Sequence, residues 1–343
     1  MVVIIMNSTS YVFFFNVADY YRVMFGDILS NKKVVYATGF EDINPVVRII
    51  ARCYWSKTIN NIISLPLKNF FNKYYYHKNS HKNENVVFVF HGSFYFLKAM
   101  GYFSYLKSVY PNCRCVMLLT DTVDRYYRLF HRHFAGKFDV AYLKNTFDAV
   151  LSYNVHDAKK YGFYYYPLWY SSLSTGVAEI KSDVFFIGRS KDRLDKIHDV
   201  YNNLKNKGLS CKFIIYDVSK SECKYEDIMY NKFLPYKEVL RYINGTKAIV
   251  ELTQSGASGF TLRVLEALTY DKILITDNEI LFDKEFFPYG TSKKIIKLQN
   301  IVNITRKEFF DIAKEKIAYK GEYSPLYLLK EIERIIKGKD ETK

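Results

Sequence analysis

Gly256–Asp277 reads GASGFTLRVLEALTYDKILITD, and its order of residue types decides the fold. An apolar run, Ala248–Leu252, precedes it and reads as a buried strand. Gly256, Ser258 and Gly259 then make a flexible turn. Helical periodicity begins at Leu262 and runs to Thr269, and a second apolar strand follows at Ile273–Thr276. Strand, glycine turn, helix, strand is one βαβ unit of a parallel sheet. The first backbone N–H groups of a helix have no partner within it. Together with the helix dipole they form a ready site for an anion. Arg263 stands at the second helical position and can add a charge-assisted contact to phosphate. Glu266, three residues on, shares nearly the same face and can accept from ribose hydroxyls.

The same rhythm extends in both directions. Val2–Met6, Val34–Tyr36, Val86–Phe90, Val116–Leu119 and Ala149–Ser152 read as buried strands, with amphipathic stretches at Phe94–Val109 and Thr122–Lys144. His77–Asn85 is polar and unpatterned, a surface loop. After a polar linker at Ser171–Lys181 the alternation restarts. Val184–Ile187 and Phe213–Tyr216 are strands, Arg193–Lys207 a helix with Asp192 as its N-cap, and Pro235–Ile243 a helix. A last helix is signalled by Ser324 as cap and Pro325 at the first helical position, with Leu326, Leu329, Ile332 and Ile336 on one stripe. The expected organisation is α/β, with one Rossmann-like domain at 1–170, a second at 171–323, and a C-terminal helix and basic tail at 324–343.

The chain has 343 residues, enough for two cores. Its net charge is +15, which favours an anionic partner: nucleic acid, a membrane surface or a phosphorylated small molecule. Basic residues are spread along the chain and no nucleic-acid motif is present, so nucleic acid is not the expected partner. The five cysteines are odd in number and contain no C-x-x-C pair, which reads as reduced thiols in a cytoplasmic protein. The apolar start is too short for a signal peptide and no stretch approaches a membrane span, so any membrane contact is expected to be peripheral. The basic and aromatic segment Asp124–Lys137 is one candidate for it.

The run Gly259-Phe260-Thr261-Leu262 followed by Arg263 and Glu266-Ala267-Leu268 resembles the donor-binding motif of the group 1 Leloir glycosyltransferases, an E-x7-E pattern. Ser258 occupies the place of the first Glu, which contacts the transferred sugar in that family. The variant with Gly-x-Thr-x-Arg-x-x-Glu-Ala looks like a subgroup among capsule, exopolysaccharide and lipopolysaccharide enzymes. The resemblance implies a GT-B fold, two Rossmann-like domains with parallel sheets facing a cleft and a C-terminal helix packing back. It implies a nucleoside-diphosphate sugar as donor, a glycan or lipid-linked acceptor, and no bound metal or other cofactor. Phe185–Arg189, a strand ending in Gly188 and Arg189, resembles the loop that lies against the diphosphate. Leu234–Leu240 resembles the segment beside the base, with Tyr236 as the contact. The donor-site candidates are therefore Gly188, Arg189, Tyr236, Ser258, Gly259, Phe260, Thr261, Arg263 and Glu266.

Two strand ends of the N-terminal half offer polar groups for acceptor chemistry. His91 follows Val86–Phe90 and Asp121 follows Val116–Leu119; either could take an acceptor proton if configuration inverts. Asp121 reads equally as a helix N-cap. No metal site is evident: His77 and His81 fall in a Lys/Asn loop, and His131 and His133 on different helix faces. A non-catalytic GT-B-like subunit of a polysaccharide assembly complex remains the alternative, because of Ser258.

Overall fold

The computed structural model describes residues 9–15, 19–37, 43–56, 59, 68–76, 85–130, 138–171 and 181–340. Two units emerge, each around its own parallel sheet. The first comprises residues 1–21, 28–166 and 328–343, and the second residues 22–27 and 167–327.

The first sheet holds β1 (Ser10–Phe14), β2 (Val34–Tyr36), β3 (Val86–His91), β4 (Arg114–Leu119), β5 (Ala149–Ser152) and β6 (Tyr164–Tyr165), in the order β2-β1-β3-β4-β5-β6. Every described pairing is parallel. The interiors of β1, β3, β4 and β5 are apolar and buried at successive positions, the pattern of a parallel sheet buried on both faces. Around them lie α1 (Asp19–Met24), α2 (Pro45–Trp55), α3 (Asn72–Tyr75), α4 (Tyr102–Val109), α5 (Val123–Phe130), α6 (Val140–Thr146) and α7 (Val155–Tyr161). The core is dense in aromatics. Phe14 stacks on Phe90 at 4.4 Å, and Phe103 meets Phe147 edge-on at 4.8 Å.

The second sheet holds β7 (Ser182–Arg189), β8 (Cys211–Tyr216), β9 (Met229–Tyr230), β10 (Thr246–Glu251), β11 (Ile273–Thr276) and β12 (Ile295–Lys297), in the order β12-β11-β10-β7-β8-β9. Its helices are α8 (Leu194–Asn206), α9 (Tyr236–Asn244), α10 (Leu262–Thr269) and α11 (Arg306–Lys314). The last helix, α12 (Pro325–Asp340), contributes most of its length to the first unit, where Lys339 Nζ donates to the Asp148 carbonyl at 2.6 Å. Ser324 Oγ accepts from the Leu326 amide at 3.1 Å, as the expected cap requires; of the expected stripe Leu329 and Ile332 are fully buried, Leu326 and Ile336 are half-buried, and Leu328 and Ile335 complete the buried face.

Three sequence expectations differ from the structure. The first described strand is Ser10–Phe14, and the expected strand Val2–Met6 lies outside the described residues. The stretch Phe94–Val109 is not one helix. Residues 92–100 are a 3-10 segment, and Gly101, with φ +60°, breaks it from α4. The N-cap of α8 is Arg193, not Asp192, whose carboxylate is taken by Ser255 in a neighbouring loop. Asp121 does not cap α5. Thr122 Oγ1 accepts from the Arg125 amide at 3.3 Å, and Asp121 pairs with the Arg125 guanidinium at 2.6 Å. The loop His77–Asn85 and most of the linker Ser171–Lys181 fall outside the described residues, as do His131 and His133.

Candidate functional site

Because β7, β10 and β11 run parallel and adjacent, their carboxyl ends bring three loops together, as open α/β sheets do at a ligand edge. Asp192, just beyond β7, accepts from the Ser255 amide at 3.3 Å and from its hydroxyl. Lys191, at φ +47°, reaches the Gln254 side chain. Arg193 donates to the Leu252 carbonyl and, at 3.2 Å, to the Arg189 carbonyl, while its buried Nε has no protein acceptor. Lys196 pairs with Asp277 at 2.6 Å, and Asp277 also accepts from the Thr253 amide at 2.7 Å. One sheet edge thus gathers Arg189, Lys191, Arg193 and Lys196 beside the turn that opens α10.

That turn is held from below by Glu251, the last residue of β10. Its carboxylate is fully buried and accepts from the Thr261 hydroxyl at 2.5 Å and the Thr276 hydroxyl at 2.6 Å. Each hydroxyl has a single proton and gives it to Glu251. In exchange Thr261 Oγ1 accepts from the Arg263 amide at 3.2 Å, capping α10, and Thr276 Oγ1 accepts from the Asn278 amide at 3.0 Å. Asn278 Nδ2 donates to the Gly259 carbonyl at 2.9 Å. Burial pushes the Glu251 carboxyl up to about 7, with Asp277 adding to the rise and the hydroxyl donors opposing it. Phe260 is fully buried edge-on to Phe287 and Tyr323, and so anchors the turn. The amides of Gly259, Phe260, Thr261 and Leu262 donate to no acceptor among the described residues. Four neighbouring donors held rigidly at the start of a helix suit an anion.

Arg263 Nη1 lies 2.5 Å from Glu266 Oε2, an ion pair without hydrogen-bond alignment. Glu266 is fully buried, and its other oxygen accepts from the Tyr236 hydroxyl at 2.5 Å. Tyr236 OH lies 2.9 Å from Tyr170 OH, which lies 3.4 Å from Tyr270 OH. Burial raises the Glu266 carboxyl, and Arg263 opposes that rise. A ribose hydroxyl reaching Glu266 would have to replace the Tyr236 or Arg263 contact. Gly188 allows close packing: a Cβ there would sit 3.2 Å from the Phe186 ring. Arg189 is exposed and pairs with Asp217 at 2.8 Å. Ser258 is partly exposed in the turn.

The sequence reading singled out Arg263, Glu266 and the turn but missed Glu251, Arg193 and Asn278. A carboxylate inside the apolar run Ala248–Leu252 was the available signal, since such a group must find donors when the strand is buried.

The carboxyl edge of the first sheet carries His91 and Asp121 on adjacent strands. His91 is buried, with Nε2 2.5 Å from Thr120 Oγ1 and 2.9 Å from the Tyr21 hydroxyl. The Ser93 amide, which can only donate, points at Nδ1 from 3.2 Å, and the Ser93 hydroxyl lies 2.7 Å away. In the neutral ring the proton therefore sits on Nε2, and the lone pair on Nδ1 serves as a helix cap. Asp121 is partly exposed and tied to Arg125. Among the described residues no group of three or more His, Cys, Asp or Glu is placed to hold a metal ion, and no helix is long and apolar enough to cross a membrane.

No family model and no curated protein sequence matches the chain. Solved structures do. An alpha-glucosyltransferase in complex with UDP-glucose and DNA containing an abasic site aligns with a TM-score of 0.57 at 12% identity, over 96% of this chain and 99% of that one. An alpha-glucosyltransferase in complex with UDP and a 13-mer DNA containing a HMU base aligns with a TM-score of 0.56 at 11% identity, over 96% and 100%. The fold is GT-B. Two Rossmann-like units with six-stranded parallel sheets, and a C-terminal helix returning to the first, are its architecture. Identities this low carry the fold and nothing finer.

Proposed function

We propose that this chain is a glycosyltransferase that moves a sugar from a nucleoside-diphosphate sugar to a glycan or lipid-linked acceptor, in the synthesis of a bacterial-type surface polysaccharide. The observation that carries the donor half is the start of α10. Four amides without protein acceptors stand beside Arg263, with Lys191 and Arg193 on the adjoining loop. When the glycosidic C–O bond breaks, negative charge grows on the leaving diphosphate. Fixed amides and guanidinium groups stabilise that charge without reorganising, and they supply the role a metal has elsewhere. The acceptor hydroxyl attacks the anomeric carbon and loses its proton. Asp121 is the better-placed receiver on the first sheet edge, because it is partly exposed while the His91 lone pair is engaged. The surface-polysaccharide acceptor rests on the resemblance of the Gly259–Leu268 motif.

The test is turnover. Purified chain incubated with a panel of UDP-, GDP-, ADP- and CMP-sugars should release the nucleotide from one of them, and Arg263→Ala should abolish release. Binding without release would assign the chain to the non-catalytic subunits instead.

A second reading has its own support. Both fold neighbours above were solved with DNA, and this chain carries a net charge of +15. A modified base in DNA would then be the acceptor. Sugar incorporation into hydroxymethylated duplex, with affinity falling steeply as salt rises, would select it over a glycan.

A further inference from the structure

In the first unit, far along the sequence from the donor motif, α2 has two apolar faces. Ala51 is buried, and Tyr54 packs on Phe71 with ring centroids 4.4 Å apart, so this face joins the core. The other face has no cover among the described residues. Val46 is 64% exposed, Ile49 65% and Ile50 44%, and Cys53 is exposed beside them. Residues 46, 49, 50 and 53 follow helical spacing and form one stripe. Phe70, on the neighbouring 3-10 segment, is 55% exposed, and Lys73 Nζ lies 4.4 Å over its ring.

Along the sequence this stripe lies in a basic run, which Glu41 and Asp42 precede and Glu84 follows. From Ile43 to Asn83 the chain has seven Lys and Arg and not one Asp or Glu. Arg52 is exposed on the flank of α2, and the helix begins at a firm cap, Asn44 accepting from the Val46 amide at 2.9 Å before Pro45. Isolated exposed apolar residues need no explanation, but a contiguous stripe does. Nucleic acid would answer the charge and leave Ile and Val against water. A protein partner would answer the stripe without requiring one-signed charge over forty residues. An anionic lipid surface answers both: acyl chains take the aliphatic side chains, and headgroups take the Lys and Arg.

We propose that the exposed α2 face, Val46, Ile49 and Ile50, docks the protein on an anionic lipid bilayer. It lies outside the donor turn, so docking and donor binding stand or fall separately. The face differs from Asp124–Lys137, where Arg125 is committed to Asp121.

The experiment is co-sedimentation of the full chain with vesicles of phosphatidylcholine alone and of phosphatidylcholine mixed equally with phosphatidylglycerol. The chain should pellet with the mixed vesicles and be released by high salt. Val46→Glu with Ile49→Glu should lower the partition about tenfold or more, because it removes apolar contact and adds repulsion. Both sites are exposed, so folding should survive. The milder pair Val46→Ser with Ile49→Ser should give an intermediate loss, and Leu129→Glu on α5 should change nothing. No binding of the parent chain to mixed vesicles overturns the proposal, as does equal binding of parent and Glu variant. So does a parent dimer that the Glu variant converts to monomer, which assigns the face to a second copy. Loss of duplex binding in the Glu variant with vesicle binding intact overturns it in favour of nucleic acid.

Discussion

Replacing Glu251 by Gln should flatten the pH dependence of stability in the second unit. The Glu251 carboxyl is fully buried and pushed up to about 7, from 4.5 in a solvated chain. Between those two values the folded chain holds a proton that the unfolded chain has released. Raising the pH through this window therefore costs stability; the contribution is whole below 4.5, declines up to about 7 and is constant above. The interval corresponds to about 3 kcal/mol. A unit of this size shifts its midpoint by roughly 2–4 °C per kcal/mol, so the loss amounts to about 6–12 °C. Gln fits the same space, keeps one acceptor for the Thr261 hydroxyl and does not titrate. Thermal unfolding of both proteins at half-unit steps from pH 4.5 to 8 should show the parent falling relative to the variant, with the change centred where Glu251 ionises. Parallel curves would refute the placement of a lone carboxylate beneath the turn. A gap that widens below pH 4.5 would refute the sign.

Thr261→Val should cost about 1–2 kcal/mol, because it removes both the cap of α10 and a donor to Glu251; Thr261→Ser should restore most of it, read by denaturant midpoint. Tyr236→Phe leaves one oxygen of a buried carboxylate without its hydroxyl and should cost about 1–3 kcal/mol in the same assay. Gly92→Ala would drive a Cβ into the ring and hydroxyl of buried Tyr126, and should destabilise the first unit by about 1–3 kcal/mol as measured by urea unfolding. Asp121→Asn should lower turnover about a hundredfold or more with donor affinity unchanged if it receives the acceptor proton, as steady-state kinetics would report.

The parts of the fold that local chemistry fixes were readable. Leu262–Thr269 and Ile273–Thr276 have the bounds their glycine turn, Thr cap and apolar pattern require, and Pro325 begins the last helix behind Ser324. Where two local readings competed, tertiary structure chose. Asp192 has good cap chemistry, yet Ser255, on a loop brought alongside by the parallel sheet, takes its carboxylate. The turn before α10 was legible as a turn from its spacing. Its support was not, since Glu251 meets partners 10 and 25 residues away only when β10, β11 and the turn assemble. The His91 hub is of the same kind, joining Tyr21, Ser93 and Thr120 from three separate segments.

Titration calorimetry with UDP, GDP, ADP and CMP, repeated on Arg263→Ala, asks most directly whether phosphate sits at the start of α10. One nucleoside diphosphate should bind the parent chain, with affinity falling about tenfold or more once the guanidinium is gone. Binding of none, or equal binding by parent and variant, would contradict a diphosphate seated on those amides.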